Sequence, residues 1–254
     1  MMCGRFVSSH SADQIAEFFG ASFETEATLP ANYNVAPTQD VYAVVADAAG
    51  AREVQPFHWG LVPSWAKDIK IGSKMINARS ETIAEKPAFK GLFKKHRLII
   101  PMDGFYEWQQ AKAVEGTSAP LTKAGKPMKT PMFIHRADCQ LLAVAGLWAT
   151  WRDKAAGPEA EWLHSCTVIT TAANETMAPV HDRMPVLLSP GDWEEWLDPT
   201  NNDLDALQHL LVPAPNDVLV MHAVGTAVNN VRNTGPQLTL PAVAGESAEL
   251  GLGL

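Results

Sequence analysis

A chain of 254 residues that is 46% hydrophobic and 19% charged has the composition of a globular protein and room for one large domain or two small ones. It holds no apolar run of about 18 residues, which argues against a membrane-spanning helix, and its start lacks the basic-then-apolar pattern of a secretion signal, so a cytoplasmic protein is expected. Its net charge of −8 leaves nucleic-acid binding open only if positive charge is gathered locally.

In chain order, residues 5–7 read as a short strand. Residues 11–19 read as a helix with Ile15, Phe18 and Phe19 on one face, Ser9 or Ser11 as cap and Gly20 as stop. Strands are expected over 41–46 and 54–61 around a turn at Gly50, and then over 97–101, 104–109, 131–136, 141–148, 165–171 and 218–224. Helices are expected over 81–95, with Pro87 as a potential break, and over 192–197 and 204–211. Residues 115–129 and 152–161 have the composition of exposed loops. Neither divides the strand series, so one domain is expected over 1–236, with 237–254 as a flexible tail. Many short strands and few long helices point to an α+β fold. Three cysteines, Cys3, Cys139 and Cys166, are an odd number without metal-ligand spacing, so neither a disulfide framework nor a metal site is expected. Cys139 and Cys166 are expected to pack in strands.

Charge is segregated along the chain. Residues 67–97 carry nine Lys or Arg and three Asp or Glu, whereas residues 192–205 carry six acids and no Lys or Arg. An acidic protein with one basic face would have this distribution; so would a pair of solvated helix faces.

Four places could carry chemistry. Cys3 becomes special if processing leaves it as residue one, because only an N-terminal cysteine has an α-amine and a thiol on adjacent carbons. That amine, with a reference pKa of about 7.7–8.0, is partly neutral near pH 7 and can attack an aldehyde to give a Schiff base. The thiol can then close a five-membered thiazolidine. Met2 is too large for ordinary methionine removal before Cys3, so translation is expected to start at Met2. Glu107 sits in Gly104-Phe105-Tyr106-Glu107-Trp108, on the face of Phe105 and opposite Tyr106 and Trp108. A carboxyl beside apolar rings can have a raised pKa and act as acid or base, although an edge-strand surface glutamate has the same pattern. His181 lies between Pro179 and Pro185, whose fixed backbone suits a held imidazole. Asn77, Arg79 and Glu81 share a face if their segment is extended, as a polar site or as a solvated strand face.

Together these segments resemble the SRAP family (SOS-response-associated peptidase), whose members process abasic sites in DNA. The matching motifs are Cys3-Gly4-Arg5-Phe6, Tyr33-Asn34-Val35-Ala36-Pro37, Trp59-Gly60-Leu61-Val62-Pro63-Ser64-Trp65, Ile76-Asn77-Ala78-Arg79, Asp103-Gly104-Phe105-Tyr106-Glu107-Trp108, His181-Asp182-Arg183-Met184-Pro185 and Val228-Asn229-Asn230. They stand in the family's order across residues 3–235. The resemblance implies a single compact α+β domain around a β-barrel-like core of mostly antiparallel strands. It implies that Cys3 forms a thiazolidine with the ring-opened abasic sugar, that Asn77 positions Cys3, that Glu107 is the acid–base carboxylate and that His181 helps proton transfer at the sugar. Arg5 and Arg79 would hold DNA phosphates, Asn34 and Pro37 would line the site, and Trp65 and Thr171 would contact DNA. The partner is single-stranded DNA with an abasic site, the protein is expected to be a monomer, and no metal or cofactor is required. This chain has Ala66 where some members have a second aromatic after the residue matching Trp65. A base stack is worth about 1–3 kcal/mol, so weaker affinity there is expected.

Two other readings fit some of the same residues. Cys3, His181 and Glu107 could form a thiol–imidazole–carboxylate peptidase set, acting on its own leading methionine. Trp65, Arg79 and the basic segment could serve a non-covalent single-strand binder.

Overall fold

Short β-branched and aromatic runs, punctuated by Gly, Pro, Asn and Asp, build twelve strands among the described residues. The computed structural model describes residues 3–24, 28–111, 121–122, 124–125, 127–157 and 159–242. The elements are β1 (Phe6–Ser8), α1 (Ala12–Phe19), β2 (Asn32–Val35), β3 (Asp40–Ala46), β4 (Arg52–Trp59), β5 (Asn77–Arg79), α2 (Lys90–Lys95) and β6 (Arg97–Met102). Then come β7 (Gly104–Gln110), β8 (Lys129–Arg136), β9 (Leu142–Trp151), β10 (Leu163–Ala172), β11 (Arg183–Pro185), α3 (Trp193–Leu197), α4 (Leu204–His209) and β12 (Leu219–Ala223).

One sheet runs β12-β8-β7-β1-β2, antiparallel throughout. The other closes on itself: β10 pairs β4, β4 pairs β3, β3 pairs β6, β6 pairs β9 and β9 returns to β10. Closure into a five-strand barrel removes the exposed edges that invite aggregation. Among the described residues the strands pair in parallel only where β10 meets β4 and β5, so the α+β fold with a mostly antiparallel barrel stands as the sequence implied. Among the described residues no helix is long and apolar enough to cross a membrane.

Two core clusters matter here. Helix faces carrying Ile15, Phe19, Trp193, Trp196 and Leu207 cover Val44, Val54, Ile99 and Leu147 of the barrel. A second cluster lies where the barrel meets the open sheet, joining Trp59, Leu98, Ile100, Cys166 and Val168 to Phe6, Val35, Phe105 and Ile134. Cys3 belongs to this second cluster and is fully buried.

The local signals at α1 act as expected. The Ser11 side chain accepts from the Gln14 N–H, the Gln14 side chain answers at the Ser11 N–H, and Gly20 ends the helix at φ 59°. The expected helix over 81–95 is not continuous: a 3-10 turn at Ser80–Thr82 and α2 flank Pro87, which can neither donate to nor fit inside a helix. Cys166 is buried in β10, but Cys139 is exposed in the turn after β8 at φ 59°, so it does not pack in a strand. The first residues of the expected 237–254 tail pack on the fold, and residues 243–254 lie outside the described residues. Pro236–Thr239 is a 3-10 turn with Leu238 buried, and the Ala242 N–H donates to the Ala223 carbonyl at 2.8 Å. Much of the expected 115–129 loop lies outside the described residues.

The basic segment loses one member to the core. Arg97 is buried and donates to the carbonyls of Phe93, Lys94, Trp196 and Asp198. Burial lowers its pKa to about 10. It ties the basic stretch to the last turn of acidic α3, while the other eight basic residues of 67–97 stay exposed.

Candidate active site

The site begins with an antiparallel register. Phe6 pairs Phe105, Val7 pairs Gly104, and the Tyr106 N–H donates to the Arg5 carbonyl at 2.9 Å. Continuing that register lays Cys3-Gly4 beside Glu107. The Cys3 N–H donates to Glu107 Oε1 at 2.5 Å, with Cys3 at 0% and Glu107 at 5% exposure. Cys3 itself is left-handed, at φ 45°.

Burial pushes the Glu107 carboxyl up to about 7, against N–H donors from Cys3 and Trp108 and the Lys129 cation. A carboxyl with that pKa can both take and give a proton near neutrality. Burial, and then the Glu107 charge, raises the Cys3 thiol well above its ordinary value, so the sulfur is held as a neutral thiol.

His181 stands on the loop that leads into β11. Its loop is tied to β7 by Gln109, whose side-chain amide donates to the Pro179 carbonyl at 3.2 Å. Gln109 is two residues from Glu107, on the same strand face. Burial lowers the His181 pKa, and Lys129, which also acts on Glu107, adds to the lowering. The Arg183 N–H donates to Nδ1 at 3.1 Å, which in the neutral ring leaves the proton on Nε2. Asp182 Oδ1 lies 2.8 Å from the same Nδ1 and can accept from it when the ring is protonated. Nδ1 therefore has a partner in either protonation state.

Arg183 is a residue whose role the sequence did not separate from its motif. Its guanidinium makes a two-pronged pair with Glu81, one arm at 2.9 Å, and also donates to the Thr170 carbonyl at 2.6 Å. It thereby fixes β11 and the backbone N–H that faces His181. Asn77 and Arg79 lie on β5, paired with Val168 and Thr170 of β10, which puts their segment in extended form. Arg79 is exposed.

Two expected DNA contacts are not at the surface. Asn34 is 0% exposed. Its amide donates to the carbonyls of Val228 (3.2 Å), Asn230 (3.1 Å) and Asn233 (2.9 Å), and its oxygen accepts from Arg5 at 2.7 Å. Within the protein it is a hub that holds Arg5. Thr171 is 5% exposed, inside β10 and paired with Met184. Arg5 is half-buried, donates to the Val228 carbonyl at 3.0 Å and lies over the Trp108 ring at 5.7 Å. Pro37 opens a tight turn with Thr38 at φ 72°, closed by a Gln39 N–H to the Ala36 carbonyl at 3.2 Å.

Trp65 sits apart, 60% exposed, at the far end of β10. Its loop is anchored by the Val62 N–H to Ser165 Oγ (2.9 Å) and the Gly60 N–H to the Cys166 carbonyl (2.9 Å). Gly60, at φ 136°, and Gly72 close the loop base, where a Cβ on Gly72 would lie 2.6 Å from the Gly60 oxygen.

Comparison with known proteins agrees with this arrangement. Residues 2–231 match the family described as SOS response associated peptidase (SRAP). The chain is 42% identical over 238 residues to the abasic site processing protein YoqW of Bacillus subtilis, covering 93% of this chain and 98% of that one. It is 37% identical over 198 residues to the abasic site processing protein HMCES of Xenopus tropicalis, covering 73% of this chain and 56% of that longer one. A crystal structure of a Bacteroides thetaiotaomicron protein superposes with a TM-score of 0.79 at 25% identity, over 95% of this chain and 100% of that one.

Proposed function

The chain belongs to the SRAP family, and from that premise we propose that it captures abasic sites in single-stranded DNA covalently, with the amine of Cys3 as nucleophile. The observation that carries this reading is the aim of Glu107: its carboxylate meets the nitrogen of Cys3, at 2.5 Å. A thiol peptidase needs a thiolate, made by a lowered thiol pKa, and here burial drives the thiol the other way.

Once the residues before Cys3 are removed, the free amine adds to the aldehyde of the ring-opened sugar. Glu107 takes the surplus proton from nitrogen and returns one to the departing hydroxyl, so one water leaves and an imine forms. The thiol then adds across the imine. Its proton passes to nitrogen and its sulfur bonds to carbon, which closes the thiazolidine. The sum is aldehyde plus amine plus thiol giving thiazolidine plus water, with no net oxidation or reduction. Neutral His181, with its proton on Nε2, can donate to the sugar ring oxygen as the closed hemiacetal opens. Burial of Cys3 keeps water from the adduct. The exposed cations of residues 67–95 supply attraction to phosphate. The leading methionine is removed by the protein itself or by a separate peptidase, and the protein acts as a monomer in the cytoplasm, on the nucleoid.

The test mixes the protein with a labelled single-stranded oligonucleotide carrying one abasic site, followed by a denaturing gel and mass spectrometry of the first residue. A shifted band is expected that is absent with intact DNA and with Cys3→Ala. A wild-type protein that begins at Cys3 and gives no band would overturn the reading.

A further inference from the structure

We propose that the DNA contact expected at Trp65 extends into a cleft remote from Cys3, where an unpaired nucleobase stacks on Trp162 while Arg152 and Lys154 take the adjoining phosphates. The proposal rests on single-stranded DNA being the substrate, and it extends that substrate's path along the protein.

Trp65 and Trp162 are 60% and 59% exposed and line one cleft of about 390 Å³ together with Thr150, Arg152 and Lys154. Exposed indoles that line one cleft forgo the burial that large apolar rings gain, and such patches mark interaction sites. The charged residues lining the cleft are both cations. The Arg152 guanidinium lies over the Trp162 ring at 5.0 Å, covering it with a charged plane suited both to stacking and to phosphate. Asp153, between them in sequence, caps the 3-10 turn Lys154–Ala156 by accepting from the Ala155 N–H at 2.9 Å.

The cleft is held in place. Trp151 Nε1 donates to the Ala66 carbonyl at 2.8 Å, which pins the residue beside Trp65 to the strand that leads into Arg152. Trp151 pairs Leu163, which sets Trp162 beside Arg152 across β9 and β10.

Strand β10 then measures the separation. The cleft sits at Leu163, and Arg79 pairs Thr170. Seven residues at about 3.3 Å each place the two roughly 23 Å apart. A strand fixed at Cys3 and Arg79 would reach the tryptophans several nucleotides away. A single strand offers both features the cleft selects, an unstacked base face and a phosphate, whereas a duplex hides the former.

The experiment measures affinity for an intact, fluorescently labelled single strand of about 16 nucleotides by anisotropy, so it does not depend on covalent capture. Trp162→Ala should weaken binding by about 5- to 150-fold, the span expected for loss of one base–aromatic stack. Trp162→Phe should restore most of it, and duplex affinity should change little. Thermal unfolding of each variant checks the fold. Single-strand affinity within twofold of wild type in Trp162→Ala overturns the proposal, as does an equal loss for duplex, which would indicate charge without stacking. Wild-type protein that binds single strands but forms no adduct would sink covalent capture and leave the cleft standing.

Discussion

Glu107 gives a prediction that can be worked from the structure. In the chain that retains the residues before Cys3, burial raises this carboxyl from 4.5 to about 7. The folded state therefore holds a proton that the unfolded state releases, and stability falls as pH rises from about 4.5 through about 7. A gap of about 2.5 units, at 1.36 kcal/mol per unit, is about 3 kcal/mol. Glu107→Gln keeps an oxygen to accept from the Cys3 N–H but cannot titrate. At pH 5 the two proteins should unfold at similar temperatures. At pH 8 the variant should be more stable by about 3 kcal/mol, or roughly 6–12 °C in Tm for a domain of this size. The same variant should slow single-turnover capture in processed protein by 100-fold or more, since it loses its proton acceptor. Thermal unfolding from pH 5 to 8 of both proteins, each with an uncleavable extension before Cys3, reads the stability difference. If the two Tm curves stay parallel across that range, the carboxyl is not buried as described and the electrostatic reasoning fails.

Three other perturbations follow from named contacts. Asn34→Ala removes a fully buried amide, its bonds to the carbonyls of Val228, Asn230 and Asn233 and its contact with Arg5, so stability should drop by about 1–3 kcal/mol; calorimetry showing an unchanged Tm would contradict the hub role. Glu81→Ala frees Arg183, and with it the N–H on His181 Nδ1. Capture should slow by up to about 100-fold while affinity for intact single strands stays within about twofold, and an equal loss of both would place Glu81 in binding instead. An uncleavable residue before Cys3 should abolish the adduct with the fold intact, as judged by gel and circular dichroism. An adduct in that protein would transfer the chemistry to the sulfur.

Much of this was legible from sequence because it is local. The alternation around Glu107 correctly put it on the face of Phe105, and the Ser11 and Gly20 signals bounded α1. Strand β5 was missed as an element because three residues are too few for periodicity, and its β10 partner lies about ninety residues away. The burial of Asn34 and Thr171 was not legible for a different reason. A polar residue in a motif looks the same whether it serves a ligand or the protein's own carbonyls, and only burial separates the two. Asn233, one of the three carbonyls that Asn34 holds, lies outside every motif quoted, so no pattern pointed to it. Trp162 carries no motif either. It emerges only when β9 and β10 bring it to Trp65.

The placement of Cys3 bears on why the nucleophile begins as an amide. With a residue before it, Cys3 sits at φ 45°, a left-handed torsion that costs a non-glycine residue about 1–3 kcal/mol. Its N–H already occupies Glu107, so the fold forms around a site that is geometrically complete and chemically inert. Removing the preceding residue abolishes that torsion and turns the nitrogen from a one-proton donor into an amine with a lone pair. The carboxylate then faces an ammonium, which pulls the Glu107 pKa down and holds the amine's proton until an aldehyde arrives to replace it. A thiolate mechanism would not need this order of events, because a thiol is present before and after processing. On the proposed mechanism, activation by processing would select for nitrogen and leave ring closure as the thiol's task.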